Sequence, residues 1–287
     1  MQLDTSFEKY HGCGNDFILI DELRGKKIPE NKRGMMAKIL CKRRFGVGAD
    51  DILYLTPSQK ADAMMRIFEP DGSEAETSGN GVRCVAAYLH EKFHKNKILI
   101  DTKSGTRQVR KVGTHYRLNM GELEITKSGI AKFLNFSAPD GEKFLARKLP
   151  FPGIKAQVEV SIVKVGEPHA VVFVDDVGSE DIFRYGNAIA KNKDLFPYGI
   201  NVNLVQTIDN STIQLRTYER GVWDETLACG TGAVAAAAVS HILGKGKNTT
   251  VKTLMKGGEQ IVEITKESLF LSGPATKVYD GFIRVEL

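Results

Sequence analysis

Leu227-Ala-Cys-Gly-Thr-Gly-Ala-Val-Ala-Ala-Ala-Ala238 is the stretch whose reading decides the fold. A cysteine opens a Gly-x-Gly turn, and a run of small apolar residues follows. Alanine is the strongest helix former, so the run reads as a buried helix entered through the turn. Cys229 and the amides of Gly230, Thr231 and Gly232 then stand at its N-terminus. Such an end carries unpaired N–H donors and about half a positive charge, which attracts carboxylates and favours a thiolate. The plainer reading is a glycine turn leading into a core helix, with a buried inert cysteine.

The device recurs about 150 residues earlier, in Ser78-Gly-Asn-Gly-Val-Arg-Cys-Val-Ala-Ala-Tyr-Leu89. Two helices entered through matching turns imply two related halves. Converging N-termini would bind one anionic ligand, with a reactive group on each side of it.

The chain of 287 residues is long enough for two domains, with a net charge of +5 spread along it. Lys42-Arg43-Arg44 is too short, and too poor in interleaved aromatics, to indicate nucleic-acid binding. No signal peptide or long apolar run is present, which predicts a cytoplasmic protein without membrane association. Cys13, Cys41, Cys84 and Cys229 lack metal-ligand spacing, so neither a metal site nor a structural disulfide is expected. No phosphate-binding loop or dinucleotide fingerprint appears, and no lysine stands in a recognisable pyridoxal phosphate context, which by itself leaves that cofactor open.

Read in order, Phe7 to Ile20 is a strand interrupted by a sharp turn at His11-Gly-Cys-Gly-Asn-Asp16. A basic amphipathic helix is predicted over Asn31 to Arg44, and strands over Ala63 to Phe68, Ile98 to Thr102, Arg107 to Val112 and Tyr116 to Met120. Lys127 to Lys155 has too little periodicity to place its elements. A strand over Val158 to Val165 leads into a shaped loop, Gly166-Glu-Pro-His-Ala170, and a strand over Val171 to Val174. A helix is predicted over Ser179 to Lys191, capped by Ser179. Strands follow over Asn201 to Gln206 and Thr212 to Tyr218, then a loop from Glu219 to Thr226. Further strands fill Val251 to Leu271, and Val278 to Val285 is a last strand returning to the first domain. The domains are expected at 1–122, joined by 275–287, and at 123–274. Each half reads as several strands around one buried helix, an α/β or α+β pattern.

His169, on that loop, is either structural or a proton-transfer group. Glu219 and Arg220 are either a solvated pair or a base beside a carboxylate clamp, since arginine grips carboxylates bidentately.

His11-Gly-Cys-Gly-Asn-Asp-Phe17, Gly46-Val-Gly-Ala-Asp50, Asp71-Gly-Ser-Glu74, Gly79-Asn-Gly-Val-Arg-Cys84, Pro168-His-Ala-Val171, Asn201-Val202, Glu219-Arg-Gly221 and Glu225-Thr-Leu-Ala-Cys-Gly-Thr-Gly232 occur in this order. Together they resemble the diaminopimelate epimerases, a family of pyridoxal-phosphate-independent amino-acid epimerases, over nearly the whole chain. The resemblance implies two similar domains, each a mostly antiparallel or mixed sheet wrapped around a central helix, with the active site in the cleft between them. It implies two thiols, one on each face of the substrate's α-carbon, and a homodimer. It places Cys229 as one acid/base, with His169 and Glu219 tuning or deprotonating the thiols. Asn15, Gly79, Asn80, Asn201, Arg220, Gly230 and Thr231 match substrate-binding positions. The amino-acid substrate would belong to lysine biosynthesis.

Four positions depart from the family pattern. Ser78 stands where the first catalytic cysteine is expected, and its hydroxyl is far less acidic than a thiol of pKa about 8.5. Either a cysteine has been exchanged for serine in an otherwise intact site, or the chemistry is altered. Asp51 stands where glutamine is common, and Glu69 and Glu167 where asparagine is common. Added carboxylates favour a cationic side chain on the substrate. The expected reaction is epimerisation of LL-diaminopimelate to the meso form, impaired by Ser78. The alternatives are a racemase of histidine, lysine or ornithine, a one-thiol dehydratase, and a non-catalytic amino-acid binder. Trp223 makes the loop from Glu219 to Cys229 one residue longer than the usual pattern, which leaves the placement of Glu219 open.

Overall fold

The computed structural model describes residues 2–76, 78–135, 139, 141–154 and 157–286. They form two compact units, Met1–Asn119 with Ser272–Leu287, and Met120–Leu271. Each is an α/β unit built on a mixed sheet with one long buried helix.

In the first unit, β1 (Gln2–Gly12) and β2 (Asn15–Asp21) form a hairpin in which Gly12 faces Asn15. Its two turn residues, Cys13 and Gly14, both have positive φ (55° and 83°), the backbone that keeps a two-residue hairpin in line with strand twist. β3 (Asp51–Thr56) lies parallel to β2, and β4 (Ala63–Phe68) antiparallel to β3. The short β5 (Glu74–Ala75) pairs with β4 and leads into the helix turn. β6 (Lys97–Asp101), β7 (Arg107–Val112) and β8 (His115–Gly121) extend the sheet, β6 parallel to β4 and the rest antiparallel.

Alternation along the strands sorts the core. Ile18, Ile20, Ile52 and Tyr54 face α1 (Arg33–Leu40), packing on Met36, Ala37 and Leu40. Leu53 points the other way, to Gly81 of α2 (Gly79–Phe93), whose residues Asn80 to Leu89 are buried. The helix predicted from Asn31 to Arg44 is thus shorter, preceded by a single turn at Glu30–Lys32. The chain folds back after Leu40, with Gly48 N–H donating to the Leu40 carbonyl at 2.8 Å. At Gly46 a Cβ would stand 2.4 Å from the Ile39 oxygen, so the reversal admits only glycine there.

In the second unit, the segment from Lys127 to Lys155 supplies α3 (Lys127–Ile130), a tighter turn at Ala131–Phe133, and β9 (Arg147–Leu149); positions 136–138, 140 and 155 lie outside the described residues. β10 (Val158–Val165) and β11 (Glu167–Phe173) form a hairpin about Gly166 (φ 70°). This corrects the loop expected at Glu167 to Ala170: the glycine alone makes the turn, and His169 lies within a strand. The helix expected from Ser179 to Lys191 is found from Ile182 to Ala190, its first part being α4 (Ile182–Tyr185). Its cap is Asp181, which accepts from Phe183 N and Arg184 N, while Ser179 Oγ donates to the Asp176 carbonyl. The chain then widens into a looser turn at Gly186–Ala190. A Cβ on Gly186 would stand 2.3 Å from the Tyr218 ring, so this turn is pressed against the sheet.

β12 (Asn201–Thr207) runs parallel to β11, β13 (Thr212–Glu219) antiparallel to β12, and β14 (Asp224–Thr226) antiparallel to the end of β13. α5 (Gly230–Ile242) is the alanine-rich helix, followed by β15 (Thr250–Met255), β16 (Gly258–Ile264) and β17 (Leu269–Gly273). β18 (Thr276–Glu286) belongs to the first unit and pairs antiparallel with β1 from Gln2 to His11. Alternation again divides the core. Val163, Val165, Val171, Val205, Ile213 and Leu215 pack on the α5 alanines, and Val160, Ile162, Val172, Val202, Leu204 and Tyr218 pack on Ile182, Ile189 and Phe196. The methyl-sized side chains let α5 lie close to its sheet. No described helix is long and apolar enough to cross a membrane.

Candidate active site

The two helix entrances have the same construction. Ser78 caps α2 with extended backbone (φ −141°, ψ 123°), and its Oγ accepts from Gly81 N at 3.1 Å. Cys229 caps α5 likewise (φ −119°, ψ 112°), and its Sγ accepts from Gly232 N at 3.4 Å. Each side chain satisfies one of the helix's orphan donors and sits in the field of the N-terminal amides.

Beneath Ser78 a polar chain fixes the first unit's half-site. The guanidinium of Arg83 donates to Asn80 Oδ1 at 2.6 Å, Asn80 Nδ2 donates to Asn15 Oδ1 at 3.1 Å, and Asn15 Nδ2 donates to Asp50 Oδ2 at 2.8 Å. A cation at one end and a carboxylate at the other orient both amides. Arg43 then bridges Asp50 and Asp16, and Lys9 pairs with Asp16 at 2.6 Å. Burial raises the Asp16 carboxyl, but Arg43 and Lys9 outweigh it and lower its pKa to about 2. Asp51 is half-buried at the start of β3, on the face that Leu53 shares with α2. Glu69 is exposed and accepts from Ser73 Oγ at 2.7 Å, within its own turn. Gly79 meets only Leu118 Cδ2, at 3.9 Å from an added Cβ, so sterics alone do not demand glycine there.

In the second unit, alternation puts Glu167, His169, Asn201, Asn203, Thr217 and Glu219 on the α5 face of the sheet, where Val171, Val205 and Leu215 contact that helix. Glu219 accepts from Thr226 Oγ1 at 2.9 Å. Burial pushes the Cys229 thiol well above its ordinary pKa, and the Glu219 charge adds to this; the Thr231 hydroxyl and Gly232 N–H pull the other way, and the hydrogen bond to Glu219 adds a smaller rise. The thiolate preference expected from the helix terminus is thus opposed by burial and by the Glu219 charge.

Asn201 Oδ1 accepts from Arg220 N at 2.8 Å, and its Nδ2 donates to the Pro168 carbonyl at 3.1 Å. The Arg220 guanidinium pairs with Glu167 and lies over the Phe133 ring, 6.0 Å from its centroid. His169 is fully buried, and desolvation, aided by the Arg220 charge, lowers its pKa to about 3. Its Nδ1 lies 3.1 Å from Asn203 Nδ2, and Thr217 Oγ1 donates to Asn203 Oδ1 at 2.9 Å. Asn203 and Thr217 are residues that sequence reasoning passed over, while Arg83 and Asp50 stood within quoted motifs without a role of their own. The available signal was a polar side chain in an inward register, as in Asn201-Val-Asn-Leu-Val205.

Among the described residues no group of three or more histidine, cysteine, aspartate or glutamate side chains is arranged to hold a metal ion.

The family model described as "Diaminopimelate epimerase" matches residues 7–126 and 161–278. A diaminopimelate epimerase of Methanothrix thermoacetophila is 43% identical over 98% of this chain and 96% of its own length. That of Archaeoglobus fulgidus is 37% identical over 98% of this chain and 96% of its own. Among solved structures, a phenazine biosynthesis protein of the PhzF family from Bacillus anthracis superposes with a TM-score of 0.69 at 16% identity, covering 98% of this chain and 99% of its own. A hydroxyproline epimerase from Agrobacterium vitis gives 0.63 at 16% identity, covering 99% and 92%. At such identities the structural likeness speaks for the fold.

Proposed function

The chain belongs to the diaminopimelate epimerase family of isomerases, and we propose that it interconverts LL- and meso-diaminopimelate, in lysine biosynthesis, by proton transfer at one α-carbon without a cofactor. The observation that carries the reading is the equivalence of the Ser78 and Cys229 caps. Inversion needs one proton-transfer group for each face of the α-carbon, and these are the groups the two units hold in matching positions. The N–H donors beside them, from Gly79, Asn80, Gly230 and Thr231, suit the substrate's carboxylate.

Cys229 is the base. Its thiol begins protonated, beside a carboxylate that accepts the proton as the thiolate attacks the α-hydrogen. The carbanion that forms takes a proton on its other face from the Ser78 hydroxyl, leaving an alkoxide that must regain a proton from solvent, a slow step for so weak an acid. His169 enters as a neutral ring. Asn15 and Asn80 supply oriented amides, and Asn201 holds the backbone of Arg220.

A second reading, racemisation of a basic amino acid, is favoured by Glu167. Its carboxylate already engages the Arg220 guanidinium, and it is 49% exposed.

Incubation in deuterated water with LL-diaminopimelate, histidine, lysine and ornithine, followed by proton NMR and chiral analysis, decides between the two. Deuterium entry at the α-carbon of diaminopimelate is the expected result. Turnover of a basic amino acid alone transfers the assignment to the second reading. No exchange with any of them, in this chain and in Ser78→Cys, refutes both.

A further inference from the structure

We propose that Asn203 is a positioning residue that fixes the proton of His169 on Nε2, so that the buried imidazole serves as a hydrogen-bond donor rather than a base. One group that accepts and never donates decides the geometry. One end of the Asn203 amide faces the Ala170 carbonyl at 3.4 Å, and a carbonyl only accepts, so that end is the NH2 group. The same NH2 lies 3.1 Å from His169 Nδ1, which must therefore present its lone pair. The other end is the amide oxygen, held by the Thr217 hydroxyl at 2.9 Å. With Nδ1 engaged as an acceptor, the neutral ring carries its hydrogen on Nε2.

The second glycine of the Gly230-Thr-Gly232 turn belongs to the same arrangement. A Cβ on Gly232 would stand 2.4 Å from Asn203 Oδ1, 3.2 Å from Thr217 Oγ1 and 3.3 Å from Cys229 Cβ. Asn203 is thus lodged directly under the cap of α5, and only glycine admits it there. His169 Nε2 is buried without a hydrogen-bond partner among the described residues. A buried N–H without an acceptor is unfavourable, so Nε2–H is a donor held ready for an acceptor that the described residues do not supply. The ring's role in proton transfer is then to donate to negative charge formed in the site. This role rests on the reading of Cys229 as the base, whereas the position of the proton does not.

The test is 15N NMR of the histidine-labelled protein at neutral pH, with the His169 signals assigned by their loss in His169→Gln. The expected spectrum has a protonated Nε2 and an unprotonated Nδ1. In Asn203→Asp, a carboxylate of the same shape accepts from Nδ1, so the proton appears there. α-Deuterium exchange then falls about 10- to 100-fold, the usual cost of losing a histidine's orienting partner. A protonated Nδ1 in the unaltered protein refutes the proposal, and needs no variant to fold. An unchanged tautomer and unchanged exchange in Asn203→Asp also refute it. The predicted tautomer with no exchange of any substrate leaves Asn203 as the structural determinant and removes the proposed reaction instead.

Discussion

Replacing Ser78 by cysteine separates the two halves of the proposed reaction. The Cys229 face can remove an α-proton, exchange it with solvent and return it to the same face. This exchange without inversion asks nothing of Ser78. Inversion requires the second group to give up its proton and recover it, and a serine hydroxyl is far less acidic than a thiol of pKa about 8.5. The chain as it stands should therefore wash deuterium into one epimer faster than it forms the other. Positioned acid–base groups contribute about 10²- to 10⁴-fold, so Ser78→Cys should raise the inversion rate by that factor, or about 3–5 kcal/mol of barrier. Geometry does not dilute this effect. A thiol already caps α5 from the equivalent place, with Gly232 N to Sγ at 3.4 Å against 3.1 Å for Gly81 N to Ser78 Oγ. The loss in capping is at most a fraction of the about 0.5–2 kcal/mol that such a cap contributes. The assay follows the α-proton signal of each epimer and its chirality in parallel. Exchange in the original chain with an inversion rate that Ser78→Cys leaves unchanged would refute Ser78 as the second proton-transfer group.

Glu219→Gln removes a charge that raises the Cys229 pKa, so iodoacetamide should label this thiol faster at fixed pH, read by mass spectrometry, while α-exchange falls about 10²-fold; slower labelling would contradict the Glu219–Cys229 pairing. Asp16 has a folded pKa of about 2 against an ordinary 3.8, so its pairing stabilises the fold above the ordinary value and is lost as pH falls through the folded one. Solvent screening limits this to about 1–2 kcal/mol. Urea titrations should find Asp16→Asn nearly as stable as the original below that window and less stable at neutral pH; a constant difference would exclude the linkage. Glu167→Gln frees the Arg220 guanidinium and should lower KM for diaminopimelate and raise it for lysine, each by about two- to fivefold, the scale of an exposed ion pair. Opposite changes would show that Glu167 holds a substrate ammonium instead.

What was legible in the sequence is what local chemistry dictates. Gly-x-Gly before a run of helix formers fixed both helix entrances, and Ala63–Phe68 and Val158–Val165 are strands at the expected bounds. The misplaced elements are those that distant contacts decide. The periodicity of 31–44 is helical, yet the chain turns back after Leu40, with Gly46 against Ile39; that of 179–191 holds from Ile182 to Ala190, with wider helical turns from Gly186 where it meets Tyr218. Glu167-Pro-His169 has loop-like composition, but a single glycine sufficed for the turn, and pairing with β10 made it a strand. Asn203 and Thr217 could not be linked to His169 without the register of β11, β12 and β13, which sets His169 beside Asn201 and Asn203 opposite Thr217. Cys229 shows the electrostatic form of the same limit. Its helix terminus is local, whereas the burial and the Glu219 charge that oppose it come from the folded sheet.

The two half-sites match in backbone and differ in the charges behind the caps. Behind Ser78 stands a fully buried arginine, reaching the helix end through Asn80. Behind Cys229 stand a carboxylate and a neutral imidazole. Inversion needs one group that begins without its proton and one that begins with it. In the proposed reaction Ser78, whose Oγ accepts from Gly81 N, is the acid. Cys229 has Glu219 as a ready acceptor, so shifting one proton from sulfur to oxygen makes the base without importing charge into the buried site. The raised pKa of Cys229 is then a property of the resting pair, and the reactive state differs from it by a proton transfer within that pair. The thiol's titration and the onset of exchange should accordingly belong to Cys229 and Glu219 together, and neither should survive Glu219→Gln at its original pH.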